Sequence, residues 1–328
     1  MDEAVRNLAW FLLVTLAVSC GGCGREVSTP GFQVALVTPG PVSDAGWNAS
    51  AYQGLQRIGA EFGAVTSHIE ASSPGQFEES FRDFAAREFD LVIGHGFEFQ
   101  DAAVTVGAEY PRTVFLVTSG LEVRDNVAGL VFRLEEAAYL AGVLAASVSE
   151  SGAVAAVGGM EIPPVRLAFD GFERGFLDQR PDGRVREVFL GSWEDVAAGR
   201  QAALSLIDQG VDVLIHNADA AGLGVFQACR ERGKWALGTN SDQASVAPDV
   251  VLASAVMDIP AAMQRVAEEV RAGSFRGRVV SFDLISGVVD LALNVELVHV
   301  LPPEAHQAVA EARDRLLSGA VVLEHFDQ

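Results

Sequence analysis

The sequence has 328 residues, of which 49% are hydrophobic, and this is enough chain and apolar surface for two ordinary domains with buried cores. Its 44 Asp and Glu residues outnumber 23 Lys and Arg residues, which gives a formal net charge of −21. Because nucleic acids are bound mainly through basic side chains, this charge argues against a nucleic-acid partner, disfavours anionic small ligands and favours neutral or cationic ones.

The N-terminus carries the pattern of an export signal. Residues 8–19 form an apolar run that is too short for a stable transmembrane helix but has the length of a signal-peptide core. The run ends in AVSC (17–20), which resembles a bacterial lipobox. We therefore predict a signal peptide over 1–19, lipidation of Cys20, an anchor and tether over 20–31, and a location on the periplasmic or extracytoplasmic face of the membrane. An ordinary cleaved signal peptide, or a disulfide between Cys20 and Cys23, is the alternative.

The first half of the body alternates strand and helix patterns, which indicates an α/β fold with parallel sheets. Its first strand is a short apolar run with β-branched residues, as expected for a parallel strand that is covered on both faces. The predicted elements are a strand over 33–37, a helix from Asp44 or Asn48, a strand over 64–69, a helix over 74–87, a strand over 90–94, a helix from about 98 or 101, strands over 114–117 and 127–132, and a helix over 135–148.

The same alternation restarts in the second half. The predicted elements are strands over 153–157, 185–190, 211–216 and 235–238, with helices over 163–177 and 195–209 and a helix within 217–232. A strand over 250–256, a helix over 260–271, strands within 279–293 and a helix over 302–317 follow. Cys229 lies in a helical pattern, and we expect it to be a buried small residue. The two tandem series are each large enough for one lobe.

The turn after the first strand is the first candidate binding segment. In an open α/β sheet, ligands bind where the carboxyl ends of strands meet the N-termini of helices. Trp47 lies in this turn, where its ring is suited to stacking on a ligand, although it can instead cover the core. Asp44 and Asn48 flank it, and each can either contact a ligand or cap the helix.

Several segments in order carry a family resemblance. They are SDAGWNASAYQGL, LVIGHGFEFQDA, NVAGLVFRLEEAAYLAGVLAA, VAAVGGMEIPPVRLAFDGFERGF, GSWEDVAAGRQAALSLIDQGVDVLI, GLGVFQA and GTNSDQ. Together, over about residues 33–318, they resemble the basic membrane protein family of substrate-binding lipoproteins, which includes purine-nucleoside receptors of bacterial ABC importers. The motifs are specific for the family and much less specific for the ligand.

The resemblance implies a type I periplasmic-binding-protein fold, in which two Rossmann-like lobes are joined by a three-strand hinge and close over a ligand. We place the crossings near 127–130, 253–256 and 283–285. This predicts an N-terminal lobe of 32–128 and 256–282 and a C-terminal lobe of 129–255 and 283–328. The implied partners are a small-molecule ligand, such as a purine nucleoside or nucleobase, and the permease subunits of an ABC importer.

The resemblance also suggests roles for individual residues. Trp47 matches the family position that stacks on the base, and Trp193 resembles the aromatic position of the opposite lobe, although a core role explains Trp193 equally well. Asn48 can both donate to and accept from a base edge. Asp242 stands where a ribose-binding acid is expected, and Asn240 stands where the family often has Asp.

Further candidates follow predicted strands. His95, Phe97 and Met160 are expected to line the cleft. Asp219 is predicted to be a helix N-cap, with a ligand contact as the alternative. His216 ends a strand, where a buried structural histidine is the preferred interpretation.

Two positions depart from the pattern of the nucleoside-binding members. Pro39 stands where an Asp commonly follows the first strand, and Met257 lies near the position of a Lys. If those family groups hold the ribose, the ribose contacts differ here. A free base or another flat neutral ligand is then the alternative.

The residue patterns also bear on three other function classes. The sequence contains no phosphate-binding loop, dinucleotide fingerprint, zinc-protease motif or nucleophile elbow, so we predict neither an enzyme, nor a cofactor, nor a metal site. A ligand-sensing receptor on the same fold is an alternative that the sequence does not separate from an importer subunit. A binding protein for a sugar or another small ring is the third, because two tryptophans can stack on such rings as well.

Overall fold

Strands and helices alternate along residues 31–43 and 46–325, which are the residues that this computed structural model describes. The first half contains β1 (Gln33–Thr38), α1 (Trp47–Phe62), β2 (Val65–Glu70), α2 (Pro74–Ala86), β3 (Leu91–His95), α3 (Gln100–Glu109), β4 (Val114–Thr118), β5 (Val127–Phe132) and α4 (Leu134–Val148). The second half contains β6 (Ala153–Gly158), α5 (Pro163–Gln179), β7 (Arg184–Phe189), α6 (Val196–Asp208), β8 (Val213–Asn217), α7 (Gly222–Arg232), β9 (Trp235–Asn240), β10 (Val251–Met257), α8 (Ile259–Arg271), β11 (Val279–Phe282), β12 (Val289–Leu293) and α9 (Pro303–Leu317).

The strands of the described residues form two six-stranded sheets with the same winding. The first sheet has the order β2-β1-β3-β4-β5-β11, and all of its neighbouring strands are parallel. The second has the order β7-β6-β8-β9-β10-β12, in which only β12 is antiparallel to its neighbour. Each order reverses once, between β1 and β3 and between β6 and β8, which is the arrangement that opens a ligand crevice at the carboxyl ends of the strands.

These observations confirm the predicted α/β fold with two Rossmann-like lobes. The strands predicted from the sequence are present, with ends shifted by one or two residues. Cys229 is fully buried, as predicted, and burial raises the pKa of its thiol to about 12. Within the described ranges no helix is both long and apolar enough to cross a membrane. Cys20 and Asp44, with the predicted signal peptide and residues 20–30 of the predicted anchor and tether, lie outside the described residues.

The chain passes between the two lobes three times. β5 stays in the first sheet through Phe132, where it pairs with β11, and α4 then packs against α5 in the second lobe. β10 stays in the second sheet through Met257, where it pairs with β12, and α8 then packs against α1 in the first lobe. The third passage runs through 283–288, between β11 and β12.

Sheet membership shifts two of the predicted lobe boundaries. The boundary at 128/129 falls inside β5, and the one at 255/256 falls inside β10. Ladder hydrogen bonds hold each of these strands in one sheet to its last residue, so the passages occur at Arg133 and Asp258 instead. The third passage contains the segment 283–285 that was predicted for it.

Helix α4, which begins at the first passage, is held close to its neighbour and to the third passage. A Cβ at Gly142 would overlap the carbonyl oxygen of Phe172 in α5, so this glycine lets the two helix backbones approach closely. In the first turn of α4, the Glu136 carboxylate accepts a hydrogen bond from the Leu284 backbone N–H at 2.9 Å. This hydrogen bond therefore links the first and the third passages between the lobes directly.

Candidate ligand-binding cleft

A cleft of about 380 Å³ lies between the two lobes, at the carboxyl ends of their strands. The first lobe and the passage into α4 contribute Pro39, Gly40, Trp47, Asn48, Gly96, Phe97, Glu98, Ser119, Phe132 and Leu134. The second lobe contributes Met160, Ile162, Pro164, Val165, Trp193, Glu194, Asn217, Asp219, Asn240 and Met257. The lining is thus shared about equally by the two lobes.

A second cavity, of about 450 Å³, lies beside the C-terminal segment of the second lobe. Glu135, Asp170, Arg174 and Leu323 are among its lining residues. It does not lie at the carboxyl ends of the strands, and its described lining contains no aromatic side chain. The cleft between the lobes, although slightly smaller, is therefore the better candidate for a ligand site.

On the first-lobe side, Trp47 stacks on His95. The two ring centroids are 4.1 Å apart and the rings are inclined by 24°. The imidazole Nε2 lies 3.0 Å from the Trp47 carbonyl oxygen, and Nδ1 lies 3.0 Å from the Thr118 hydroxyl. Because a carbonyl oxygen only accepts, Nε2 carries the proton and Nδ1 accepts from Thr118. His95 is fully buried, which lowers its pKa to about 3, so the ring is neutral at physiological pH.

On the second-lobe side, Trp193 follows β7, and its side chain packs against the turn after β6. A Cβ at Gly159 would overlap the six-membered ring of Trp193, so the indole lies directly against the glycine backbone. Trp193 also packs against the hydrophobic core. The two interpretations of Trp193 are therefore compatible, since one part of the ring contacts the core and another lines the cleft.

Amide side chains supply most of the buried polar surface of the cleft. Asn48, Asn217 and Asn240 are 6%, 6% and 7% exposed. The Asn240 amide nitrogen lies 3.5 Å from the Asn217 amide oxygen and 3.4 Å from the Asp219 carboxylate, which are long contacts. A ligand that offers donors or acceptors at this end of the cleft can therefore form shorter bonds than those now present.

Three lining residues have a left-handed backbone. Ser119, Asp219 and Asn240 have φ angles of 59°, 44° and 69°, and they make up three of the four non-glycine residues with positive φ in the described ranges. Each lies at or just after the carboxyl end of a strand. This conformation costs roughly 1–3 kcal/mol per residue and is concentrated at functional sites in proteins. The backbone geometry thus independently marks the same cleft.

The charge of the cleft is negative. The lining residues Glu98, Glu194 and Asp219 carry carboxylates, and no Lys, Arg or His is among the described lining residues. Glu98 is exposed as a residue, but its carboxyl folds over Gly96, and desolvation there raises its pKa above the usual range. A negative, partly desolvated wall disfavours anionic ligands.

The wall next to the passages between the lobes is apolar. Phe132 and Leu134 flank the first passage, and Met257 precedes the second. Pro39 is a further apolar residue of the cleft lining. The two positions at which the sequence departs from the nucleoside-binding pattern, Pro39 and Met257, are therefore both part of the cleft surface.

Most of the residues predicted for ligand binding lie in this cleft. The structure brings together Trp47, Asn48, Phe97, Met160, Trp193, Asp219 and Asn240. Asp219 is the first residue of a short 3-10 helix whose N-cap is Ala218, and no side chain caps it, so the predicted capping role for Asp219 is wrong.

Two predicted residues are placed elsewhere. His95 lies behind Trp47 and has no exposed surface, so it does not line the cleft. Asp242 is exposed outside the lining, and its carboxylate accepts a hydrogen bond from the Ala244 N–H at 3.0 Å. The neighbouring Gln243 turns inward instead, where its side-chain oxygen accepts from the Thr239 N–H and from His216.

His216 is buried, as predicted. Its Nε2 lies 2.9 Å from the Gln243 side-chain oxygen, and burial lowers its pKa to about 4. Two lining residues that were not predicted, Glu98 and Glu194, directly follow the predicted residues Phe97 and Trp193. Their place in the same post-strand loops is a signal that the sequence does contain. Ser119 has no comparable sequence signal.

Comparison with known proteins agrees with this architecture. The family model described as ABC transporter substrate-binding protein PnrA-like, Bmp, matches residues 32–315. The protein of Lactococcus lactis subsp. cremoris named ABC transporter nucleoside-binding protein BmpA is 27% identical, with 98% of this chain and 99% of that protein covered. Basic membrane protein A1 of Borrelia garinii subsp. bavariensis is 25% identical, with 93% and 92% covered.

A solved structure shows the same fold. The structure of an ABC transporter system solute-binding protein from Aeropyrum pernix superposes with a TM-score of 0.82 at 23% identity, with 90% of this chain and 93% of that chain covered. The prediction of a solute-binding-protein fold is thereby confirmed. Because the family match extends over nearly all of the described residues, the chain belongs to the Bmp family of PnrA-like ABC transporter substrate-binding proteins.

Proposed function

We propose that this substrate-binding protein captures a purine nucleoside or a related nucleobase outside the cytoplasmic membrane and delivers it to the permease of an ABC importer. In this proposal a lipid on Cys20 anchors the protein to the membrane. The observation that carries the proposal is the pair Trp47 and Trp193, which come from different lobes and line one cleft. The nucleoside named for the Lactococcus relative supports the ligand class.

The cleft offers what a purine ring needs. Stacking of a base on an aromatic side chain contributes roughly 1–3 kcal/mol. The Asn48 amide, which can both donate and accept, suits the polar edge of a base. Because the two tryptophans belong to different lobes, a ring held between them favours the closed arrangement of the lobes over the open one. Capture therefore needs no chemical step.

The lining supports both a nucleoside and a free base. Asp219 and Asn240 supply acceptors and a donor for the hydroxyls of a ribose. Pro39 and Met257 supply apolar surface, which offers a ribose no polar contact. The apolar surface at Pro39 and Met257 favours a free nucleobase, which is therefore the second candidate ligand.

The test is a binding screen of the purified protein by thermal shift, followed by isothermal titration calorimetry. Purine nucleosides, free nucleobases and sugars are compared, since a ligand at about 100 times its Kd stabilises the fold by roughly 2.7 kcal/mol. We expect a purine compound to bind and Trp47→Ala to raise its Kd by about 5- to 150-fold, the equivalent of one stacking contact.

The matched control is Trp235→Ala, at the amino end of β9 and therefore away from the cleft. Its purine affinity is expected to stay unchanged in the folded variant. Binding of sugars without purines would contradict the proposed ligand class, and so would purine binding that Trp47→Ala leaves unaltered.

A further inference from the structure

The cleft pairs aromatic rings with carboxylates. Glu98 comes from the first lobe, and Glu194 and Asp219 come from the second, so negative charge faces the cleft from both sides. The described lining contains no basic side chain. The single lysine of the sequence, Lys234, precedes β9 and therefore lies at the opposite, amino end of that strand. Arg133, between the lining residues Phe132 and Leu134, is not itself part of the lining.

Glu98 is the carboxylate most affected by this arrangement. Its carboxyl group lies over Gly96 at the cleft surface, where partial desolvation disfavours the charged form and raises its pKa. Among the described residues, Glu98 forms no ion pair. A cation in the cleft would stabilise this carboxylate directly, because opposite charges attract strongly where water is excluded.

The two tryptophans of the cleft also favour a cationic ligand. The face of an indole carries negative charge density and attracts cations, and the attraction increases when water is excluded. One side of Trp47 is covered by His95, and that imidazole is neutral. The stacked histidine therefore leaves the attraction of the indole for a cation intact, whereas a protonated imidazole would oppose it.

We infer that the cleft prefers an aromatic ring that carries a positive charge over the corresponding neutral ring. The inference rests on the proposed function and narrows its ligand class to cationic aromatic rings, such as a purine nucleoside methylated on a ring nitrogen. Trp47 and Trp193 hold the ring, and Glu98, Glu194 and Asp219 balance its charge.

The test uses pairs of singly methylated compounds that differ in the position of the methyl group and therefore in charge. One pair is 1-methyladenosine, a cation, and N6-methyladenosine, which is neutral. The other is nicotinamide methylated on the ring nitrogen, a cation, and nicotinamide methylated on the amide nitrogen, which is neutral. Binding of all four compounds to the full chain is measured calorimetrically at about pH 7, where exposed carboxylates are ionised. We expect each cation to bind about tenfold more tightly than its neutral counterpart.

A variant of Glu98 and a control variant test whether the Glu98 carboxylate causes the preference for a cation. Glu98→Gln is expected to reduce the preference for the cation at least threefold (roughly the loss of one screened charge contact). Glu79→Gln removes the same charge from an exposed position on α2 of the same lobe and is expected to leave the preference unchanged.

The outcomes separate this inference from the proposed function. Binding of neutral purines at least as tight as that of the cations overturns the inference and leaves the proposed function in place. Binding of the nicotinamide cation without any purine supports the inference and contradicts the proposed ligand. Binding of neither cation, or a preference that Glu98→Gln does not change, overturns the inference.

Discussion

The imidazole of His95 lies flat against the indole of Trp47, and the same imidazole binds the Trp47 carbonyl oxygen through Nε2. One side chain therefore fixes both the backbone and the ring of the principal aromatic residue of the cleft. The Thr118 hydroxyl in turn fixes the imidazole through Nδ1. This chain of contacts connects the end of β4 to the cleft surface and makes His95 a positioning residue rather than a ligand contact.

The ring of His95 and its hydrogen bonds can be tested separately. His95→Phe keeps a flat ring beneath Trp47 but removes both hydrogen bonds, whereas His95→Gln keeps hydrogen-bonding groups but removes the ring. We expect His95→Phe to retain ligand affinity and to lose about 1–3 kcal/mol of unfolding free energy for each buried group left unpaired. We expect His95→Gln to weaken ligand binding by about fivefold or more, because the indole loses its support.

Calorimetry gives the affinities and chemical denaturation gives the unfolding free energies. The positioning role would be contradicted if His95→Gln bound ligand as tightly as the unmodified protein while His95→Phe did not.

The unfolding free energy should depend on the protonation of His216. Its folded-state pKa of about 4 lies below the usual value of 6.5, so the unfolded state binds the proton more readily. The stability due to the neutral ring is complete above about pH 6.5 and is lost as the pH falls towards 4. The raised pKa values of Glu98 and Glu136 act in the opposite direction, since they favour the folded state as those carboxyls become protonated.

A difference measurement isolates the histidine. The unfolding free energy of the unmodified protein minus that of His216→Leu should fall by about 1.4 kcal/mol per pH unit between about pH 6 and pH 4.5. It should be constant above about pH 7. His306→Leu, at an exposed site on α9, is the control. A difference that does not vary with pH would show that His216 is not held neutral by burial.

Gly159 should control the position of Trp193. In Gly159→Ala the new methyl group overlaps the indole, which must move away from its place in the cleft. We expect the Kd for the ligand to rise by about fivefold or more, as the second stacking contact is lost. Gly75→Ala is the matched control, because no atom lies within 4 Å of its Cβ position. An unchanged Kd in Gly159→Ala would mean that Trp193 does not hold the ligand.

The left-handed backbone of Asn240 predicts an unusual order of stabilities. At this position Asn240→Gly should be more stable than Asn240→Ala by about 1 kcal/mol, since only glycine adopts a φ of 69° without strain. At the exposed helical position Gln201 in α6, the same pair should show the opposite order, by roughly 0.5–1 kcal/mol. Chemical denaturation of the four variants measures both differences, and equal signs at the two positions would contradict the assignment of strain to Asn240.

Sequence periodicity predicted the elements well because strands and helices leave local signals. The short apolar run of β1 and the turn that precedes Trp47, the first residue of α1, are examples, since each is recognisable within ten residues of chain. The two misplaced boundaries had no such signal. Whether β5 or β10 continues into the next lobe depends on its pairing with β11 or β12, which follow much later in the chain.

The cleft was less predictable than the fold, for two physical reasons. The orientation of neighbouring residues in an irregular loop has no period, so Asp242 and Gln243 were not distinguishable before their partners were known. The role of His95 depends on Thr118 and Trp47, which approach it from two other elements. A polar residue at the end of a strand fits a cleft wall and a buried support equally well in the sequence.

The distribution of strained backbone also bears on how the ligand preference of such a protein can change during evolution. At Ser119, Asp219 and Asn240 a substitution must satisfy the backbone as well as the ligand, and few residue types tolerate positive φ. Phe132 and Met257 lie in regular strands and carry no such restriction. New ligand specificities are therefore expected to arise by substitution of strand residues in the apolar wall. The residues at the polar end of the cleft are expected to change little.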